Sequence, residues 1–123
     1  MEARAIQKYI RSSPRKMRRV VNAVRGKSVA DAMGILHYQP HAASKPVEKT
    51  IQSAVYNMID QYPDERIDEE GLVIREIRVD EGPRFKRFRP AARGRAAPYK
   101  KRLSHLTVVI ATVDEVEEDA ATA

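Results

Sequence analysis

The chain has 123 residues, a formal charge of +6 and an isoelectric point near 9.8, with 42% hydrophobic and 33% charged residues, no Cys, no Trp and two Phe. That length supports one modest aliphatic core, and the absence of cysteine excludes a disulfide framework and a thiolate zinc site. No run approaches the roughly 20 apolar residues of a membrane helix, and Met1-Glu2-Ala3-Arg4 lacks the apolar core of a signal peptide, so a soluble, cytoplasmic chain is expected.

Ala3 to Ile10, with Ala5, Gln7 and Tyr9 alternating against Ile6, Lys8 and Ile10, predicts a first strand. A helix follows. Ser13 is its expected N-cap and Pro14 its first residue, where the missing N–H costs nothing, and Arg25-Gly26-Lys27 is the expected stop. Within it Met17, Val20, Val21 and Val24 form an apolar stripe opposite Arg15, Arg18, Arg19 and Asn22. Ser28, with Asp31 three residues on, caps a second helix that buries Val29, Ala32, Met33 and Leu36 and ends before Pro40.

A third helix is expected to bury Val47, Ile51, Ala54, Val55, Met58 and Ile59. Its start has two readings: Pro40 lies in the first turn with Pro46 tolerated inside, or Ser44 caps a shorter helix beginning just before Pro46. An acidic connection from Gln61 to Gly71 leads to a β-branched strand, Leu72 to Val79, and Leu106 to Val113 reads as another. The predicted class is α+β: three helices on one face of a small three-stranded antiparallel sheet, with a long protruding β-hairpin. Residues 1–113 are expected to form one domain, its extended basic hairpin at about 82–104, and residues 114–123 an acidic disordered tail.

The hairpin carries the functional signal. About 25 residues separate the two good strands, far beyond an ordinary hairpin loop, and they hold Gly82-Pro83, Pro90, Gly94 and Pro98 but no apolar stripe. Paired as a ribbon of about ten residues per arm, the segment would reach on the order of 30 Å, whereas unpaired it would be a disordered basic loop. Charge is segregated to match. Ala3 to Ala30 and Gly82 to Val113 each contain nine Lys/Arg and no Asp/Glu, so the remainder holds five basic and 17 acidic residues. A carboxylate within a phosphate-binding surface would repel the ligand, and a face kept charged only for solubility mixes both signs, so the pattern points to a polyanion.

Several pieces match one family in order and spacing over roughly residues 3 to 113. Arg11-Ser12-Ser13-Pro14-Arg15-Lys16-Met17-Arg18-Arg19-Val20-Val21, running into Val24-Arg25-Gly26-Lys27, resembles the first helix of the L twenty-two family of large-subunit ribosomal proteins. Val79-Asp80-Glu81-Gly82-Pro83, Lys86-Arg87 and Pro90 to Ala96 are similar to that family's extended hairpin, and Ser104-His105-Leu106-Thr107-Val108-Val109 to its closing strand. Two positions depart from the common pattern, Phe85 where a Met is frequent and Ala91 where a basic residue is frequent.

The resemblance implies a structural, rRNA-binding constituent of the large ribosomal subunit that supports assembly and lines the nascent-peptide exit tunnel with its hairpin. The implied partners are 23S rRNA, neighbouring large-subunit proteins and the nascent polypeptide, with no membrane and no cofactor. Body positions implied to face RNA are Arg11, Ser12, Arg15, Lys16, Arg18, Arg19, Arg25 and Lys27. Hairpin positions are Arg84, Lys86, Arg87, Arg89, Arg93, Arg95, Lys100, Lys101 and Arg102, and the tunnel-facing tip is Pro90, Ala91, Ala92, Arg93 and Gly94. Phe85, Phe88 and Tyr99 either stack on exposed bases or pack across the ribbon.

Catalysis has no candidate in the sequence. His37 and His41 have the spacing of two ligands on a helix, but Pro40 interrupts it and no third ligand is apparent. His105, entering a strand, reads as a hydrogen-bonded structural residue. The competing class is a free-standing nucleic-acid-binding regulator using the first helix for groove recognition, or a basic adaptor for acidic proteins.

Overall fold

A computed structural model describes residues 2–113; the expected tail at 114–123 lies outside the described residues. In chain order the elements are β1 (Glu2–Ile10), α1 (Pro14–Val24), α2 (Val29–Tyr38), α3 (Ser44–Gln61), β2 (Leu72–Pro90) and β3 (Ala96–Thr112). The strands form one antiparallel sheet in the order β1-β3-β2. All three helices lie on one face, α3 over β1 and β3, α1 over β2, and α2 against both other helices. Cross-strand rows Ala3–Ile110–Ile74 and Ala5–Val108–Ile77 line that inner face and meet the buried stripes of the helices in one apolar cluster. None of the described helices is long and apolar enough to cross a membrane.

The first helix forms where its punctuation places it. Ser13 is the N-cap, its hydroxyl accepting from the Lys16 N–H at 3.4 Å, Pro14 is the first helical residue, and Gly26 takes φ +76° just past the end. Met17, Val20, Val21 and Val24 are buried, each contributing on the order of 1.5–3 kcal/mol. α2 is capped by Ser28, whose hydroxyl accepts from the Asp31 N–H at 3.2 Å. Val29, Ala32 and Leu36 are buried, while Met33 is only partly so.

α3 is the shorter helix that begins just before Pro46, but Ser44 is not its cap. Ala43 is the N-cap and offers no side-chain bond, Ser44 is the first helical residue, and its hydroxyl donates back to the His41 carbonyl at 2.7 Å. Pro46 therefore sits in the first turn, where its missing N–H has no intrahelical acceptor to lose. Ile59, expected in the core, is instead 43% exposed on the flank of the helix, whereas Thr50 is buried and donates to Gln7 Oε1 at 2.7 Å.

Three bulges shape the sheet. Arg75 is an extra residue in β2 between the Ile74–Ile110 and Glu76–Val109 pairs, which lets Leu72 and Ile74 before it and Ile77 and Val79 after it all face inward. Lys8 and Tyr9 together oppose His105, and Gly82 and Pro83 together oppose Leu103. The last two flank Ser104 from opposite sides, and it is there that the ribbon leaves the body. A Cβ on Gly82 would lie 3.0 Å from the Leu103 carbonyl carbon and oxygen, so the close crossing depends on glycine.

Beyond that bulge the hairpin is a paired ribbon rather than an open loop, with seven pairs from Arg84–Arg102 to Pro90–Ala96. At about 3.3 Å per residue this gives roughly 20 Å of arm, shorter than ten residues per arm would reach. The turn is closed by the Ala91 N–H donating to the Arg95 carbonyl at 2.6 Å, with Arg93 at φ +63° and Gly94 at φ +70°. At Gly94 this conformation meets no Cβ clash, whereas at Arg93 it carried no sequence signal.

Candidate nucleic-acid interface

The base of the ribbon and the body enclose an open cleft of about 1250 Å³. One wall is the segment entering α1, with Arg11, Ser12, Lys16 and Arg19; the other is the ribbon, with Arg87, Lys100, Lys101 and Arg102. The loop from Pro40 to Ala43 and the ring of Tyr9 complete it. Seven guanidinium or ammonium groups converge here and no carboxylate of the described residues lines the space, so the cleft concentrates positive potential over the N-terminal end of α1. The wall is held by Ser104, fully buried in β3, whose hydroxyl donates to the Ser12 carbonyl at 2.6 Å. The segment Arg11–Ser13 is thereby tied to the strand that runs on into the ribbon.

Pairing register sorts the ribbon's side chains onto two faces, because directly opposed residues of an antiparallel ladder point the same way. One face carries Arg84, Lys86, Lys100 and Arg102 near the body, followed by Phe88, Pro98, Pro90 and Ala96 toward the tip. The second carries Phe85, Arg87, Arg89, Tyr99 and Lys101. Arg84 stands opposite Arg102 and is paired with the Glu81 carboxylate at 3.2 Å, whereas Lys86 opposite Lys100 has no anion among the described residues and costs stability unless one lies over the pair. On the second face the Arg89 guanidinium lies 4.5 Å from the Tyr99 ring centre and that of Arg87 5.7 Å from Phe85. The aromatic side chains thus pack along the ribbon, while Phe88 remains largely exposed.

The body's expected RNA-facing set divides. Arg11, Ser12, Lys16 and Arg19 line the cleft, and Arg15 is exposed on α1 outside it. Arg18 and Arg25 turn the other way: their Nη2 groups donate to the Val79 carbonyl at 3.0 Å and the Ile77 carbonyl at 3.1 Å. Both acceptors lie in β2, an edge of the sheet, and the Lys27 carbonyl accepts from the Ile74 N–H nearby at 3.1 Å. The two arginines therefore cover an otherwise open strand edge while remaining surface-accessible. Arg84, Lys86, Arg89, Arg93 and Arg95 lie along the ribbon outside the cleft, and all tip residues, Pro90 to Gly94, are exposed.

Among the remaining candidates, His37 ends in α2 and His41 follows it in the loop, so the pair does not share a helical face. His105 is structural as expected: its Nδ1 accepts the Tyr9 backbone N–H at 3.0 Å. Tyr9 and His41 line the cleft without having been expected to face RNA. Neither has a sequence signal, because a bulge and a loop bring them there.

The family model described as Ribosomal protein L22p/L17e matches residues 5–111. The chain belongs to that family. The Large ribosomal subunit protein uL22 of Salinibacter ruber is 57% identical over 121 residues, covering 98% of this chain and 99% of its own. Proteins of the same name from Desulfitobacterium hafniense strain Y51 and a Synechococcus species are 50% identical over 109 residues and 45% identical over 122 residues, covering 89% and 99% of this chain and 93% and 94% of their own. The family match covers β1 from residue 5, all of α1, α2, α3 and β2, and β3 to residue 111, including the whole ribbon and tip.

Proposed function

We propose that the protein is a structural, non-catalytic constituent of the large ribosomal subunit in the cytoplasm, binding 23S rRNA through the cleft and ribbon and supporting subunit assembly. The observation that carries this reading is the convergence of seven cations, with no carboxylate of the described residues among them, at the root of a ribbon whose own cations face each other across the strands. Such a ribbon is stabilised by folded RNA, whose phosphates come from several directions, more than by one groove of a duplex. Opposed like charges thus favour a ribosomal partner over a groove-reading regulator, and an acidic protein partner would not require an arm of this length. Neighbouring large-subunit proteins and the nascent polypeptide are the remaining partners.

The tip, Pro90 to Gly94, faces the passage for the growing chain in this reading. Its small residues limit the bulk offered to a lumen while flanking cations hold the arms on phosphate. Cysteine placed at Ala92 and tested for crosslinking to stalled nascent chains in assembled ribosomes checks it: a crosslink is expected. Its consistent absence, with efficient crosslinking from another tunnel component, would refute the tunnel role while leaving RNA binding intact.

A further inference from the structure

We infer that Tyr9 is a stacking platform for an unpaired RNA base whose flanking phosphates lie in the cationic cleft, an assignment that rests on the RNA-binding reading above. In a regular strand the alternation of Ala3, Ala5 and Gln7 would send Tyr9 inward and Ile10 outward. The extra residue opposite His105 reverses this: Ile10 is buried and Tyr9 projects from the surface, 63% exposed. The reversal places Tyr9 at φ +59°, a left-handed conformation that bulky residues rarely adopt. Such conformations persist where the surroundings hold them.

The surroundings here are specific. The Tyr9 N–H, withdrawn from the strand ladder, donates to His105 Nδ1 at 3.0 Å, and the two rings meet edge-to-face with centres 5.0 Å apart and planes at 89°. The phenol ring is thereby held in one orientation on the rim of the cleft, within the same space as Arg11, Lys16, Arg19 and Lys101. Exposed tyrosines are ordinary in themselves, and Tyr38 and Tyr56 are as exposed or more so, but both sit on regular helices and neither lines the cleft. Tyr9 combines an enforced outward turn, a rigid mount and a surround of phosphate-binding groups. This combination suits a base lifted from its stack, because any base offers a face to an aromatic ring while the cations take the backbone on either side.

The test uses the full chain and 23S rRNA stripped of protein, with affinity measured across a salt series. Tyr9→Leu is expected to bind about tenfold more weakly with an unchanged salt slope, since stacking releases no counterion, and Tyr9→Phe to bind as the parent does. In the Tyr9→Trp variant the indole is the only tryptophan of the chain, and its emission is expected to be quenched on binding. Parental affinity in Tyr9→Leu, or unchanged Trp emission in the bound state, overturns the assignment, and the Trp readout remains decisive if Tyr9→Leu also lowers thermal stability. Salt-independent or absent binding by the parent would instead sink the RNA reading itself, and the stacking role with it.

Discussion

Neutralising four cations of the cleft, with Lys16→Gln, Arg19→Gln, Lys101→Gln and Arg102→Gln combined, separates electrostatic binding from folding. All four residues are exposed, and their side chains form no hydrogen bond or ion pair among the described residues, so the fold loses nothing specific with them. If each neutralises one phosphate, the slope of log affinity against log salt should flatten by about 3, from roughly 0.7–0.9 per phosphate contact. At about 0.15 M salt the same release amounts to roughly fourfold to fivefold in affinity per contact, so four together should cost two to three orders of magnitude. The assay is filter binding of the full-length variant and parent to protein-free 23S rRNA between 50 and 300 mM salt, with thermal unfolding in parallel. An unchanged slope, with the parent itself salt-sensitive, would show that the phosphates bind elsewhere; a collapsed melting transition would show that the four side chains serve the fold.

Arg18→Ala and Arg25→Ala should behave differently from Arg19→Ala, each destabilising the body by about 1–2 kcal/mol in chemical denaturation because a β2 edge carbonyl loses its donor. Equal stability of all three variants would contradict the edge-covering role. Ser104→Ala should cost about 1–3 kcal/mol and weaken RNA binding as well, since the Ser12 carbonyl loses its buried partner and the cleft wall its tether; an unaffected melting temperature would refute this. Gly82→Ala should destabilise by about 1–3 kcal/mol through the contact with the Leu103 backbone, and parental stability would mean that the bulge opens freely. Replacing Arg84 to Arg102 with a short turn should leave cooperative unfolding of the body, because no residue of that segment belongs to the apolar cluster; loss of cooperativity would overturn the separation of body and ribbon.

What was legible in the sequence is what local chemistry specifies. Ser13-Pro14 and Gly26 bracket α1, Ser28 and Asp31 start α2, and the acid-free segments mark the two walls of the cleft. What escaped depends on long-range geometry. A bulge is one residue out of phase, visible in β2 only as the uneven spacing of Leu72, Ile74, Ile77 and Val79, and in β1 not visible at all, since Tyr9 there fits plain alternation. Helical periodicity placed Arg18 correctly away from the α1 stripe, and Arg25 was read as part of the helix stop, but neither reading could show that a strand edge lies beside them. Ile59 falls in helical phase with the buried residues, yet it lies on the flank of the stripe and stays partly exposed while the adjacent Met58 is fully buried.

The central claim is that cleft and ribbon together form a surface for the RNA of the large subunit, and sedimentation tests it most directly. Tagged full-length protein expressed in its own cells, with lysates spun through sucrose after a high-salt wash, should migrate entirely with the large subunit. The variant neutralised at Lys16, Arg19, Lys101 and Arg102 should accumulate at the top of the gradient or in incomplete particles. A parent protein that stays at the top, or that leaves the particle in salt while its neighbours remain, would contradict the account.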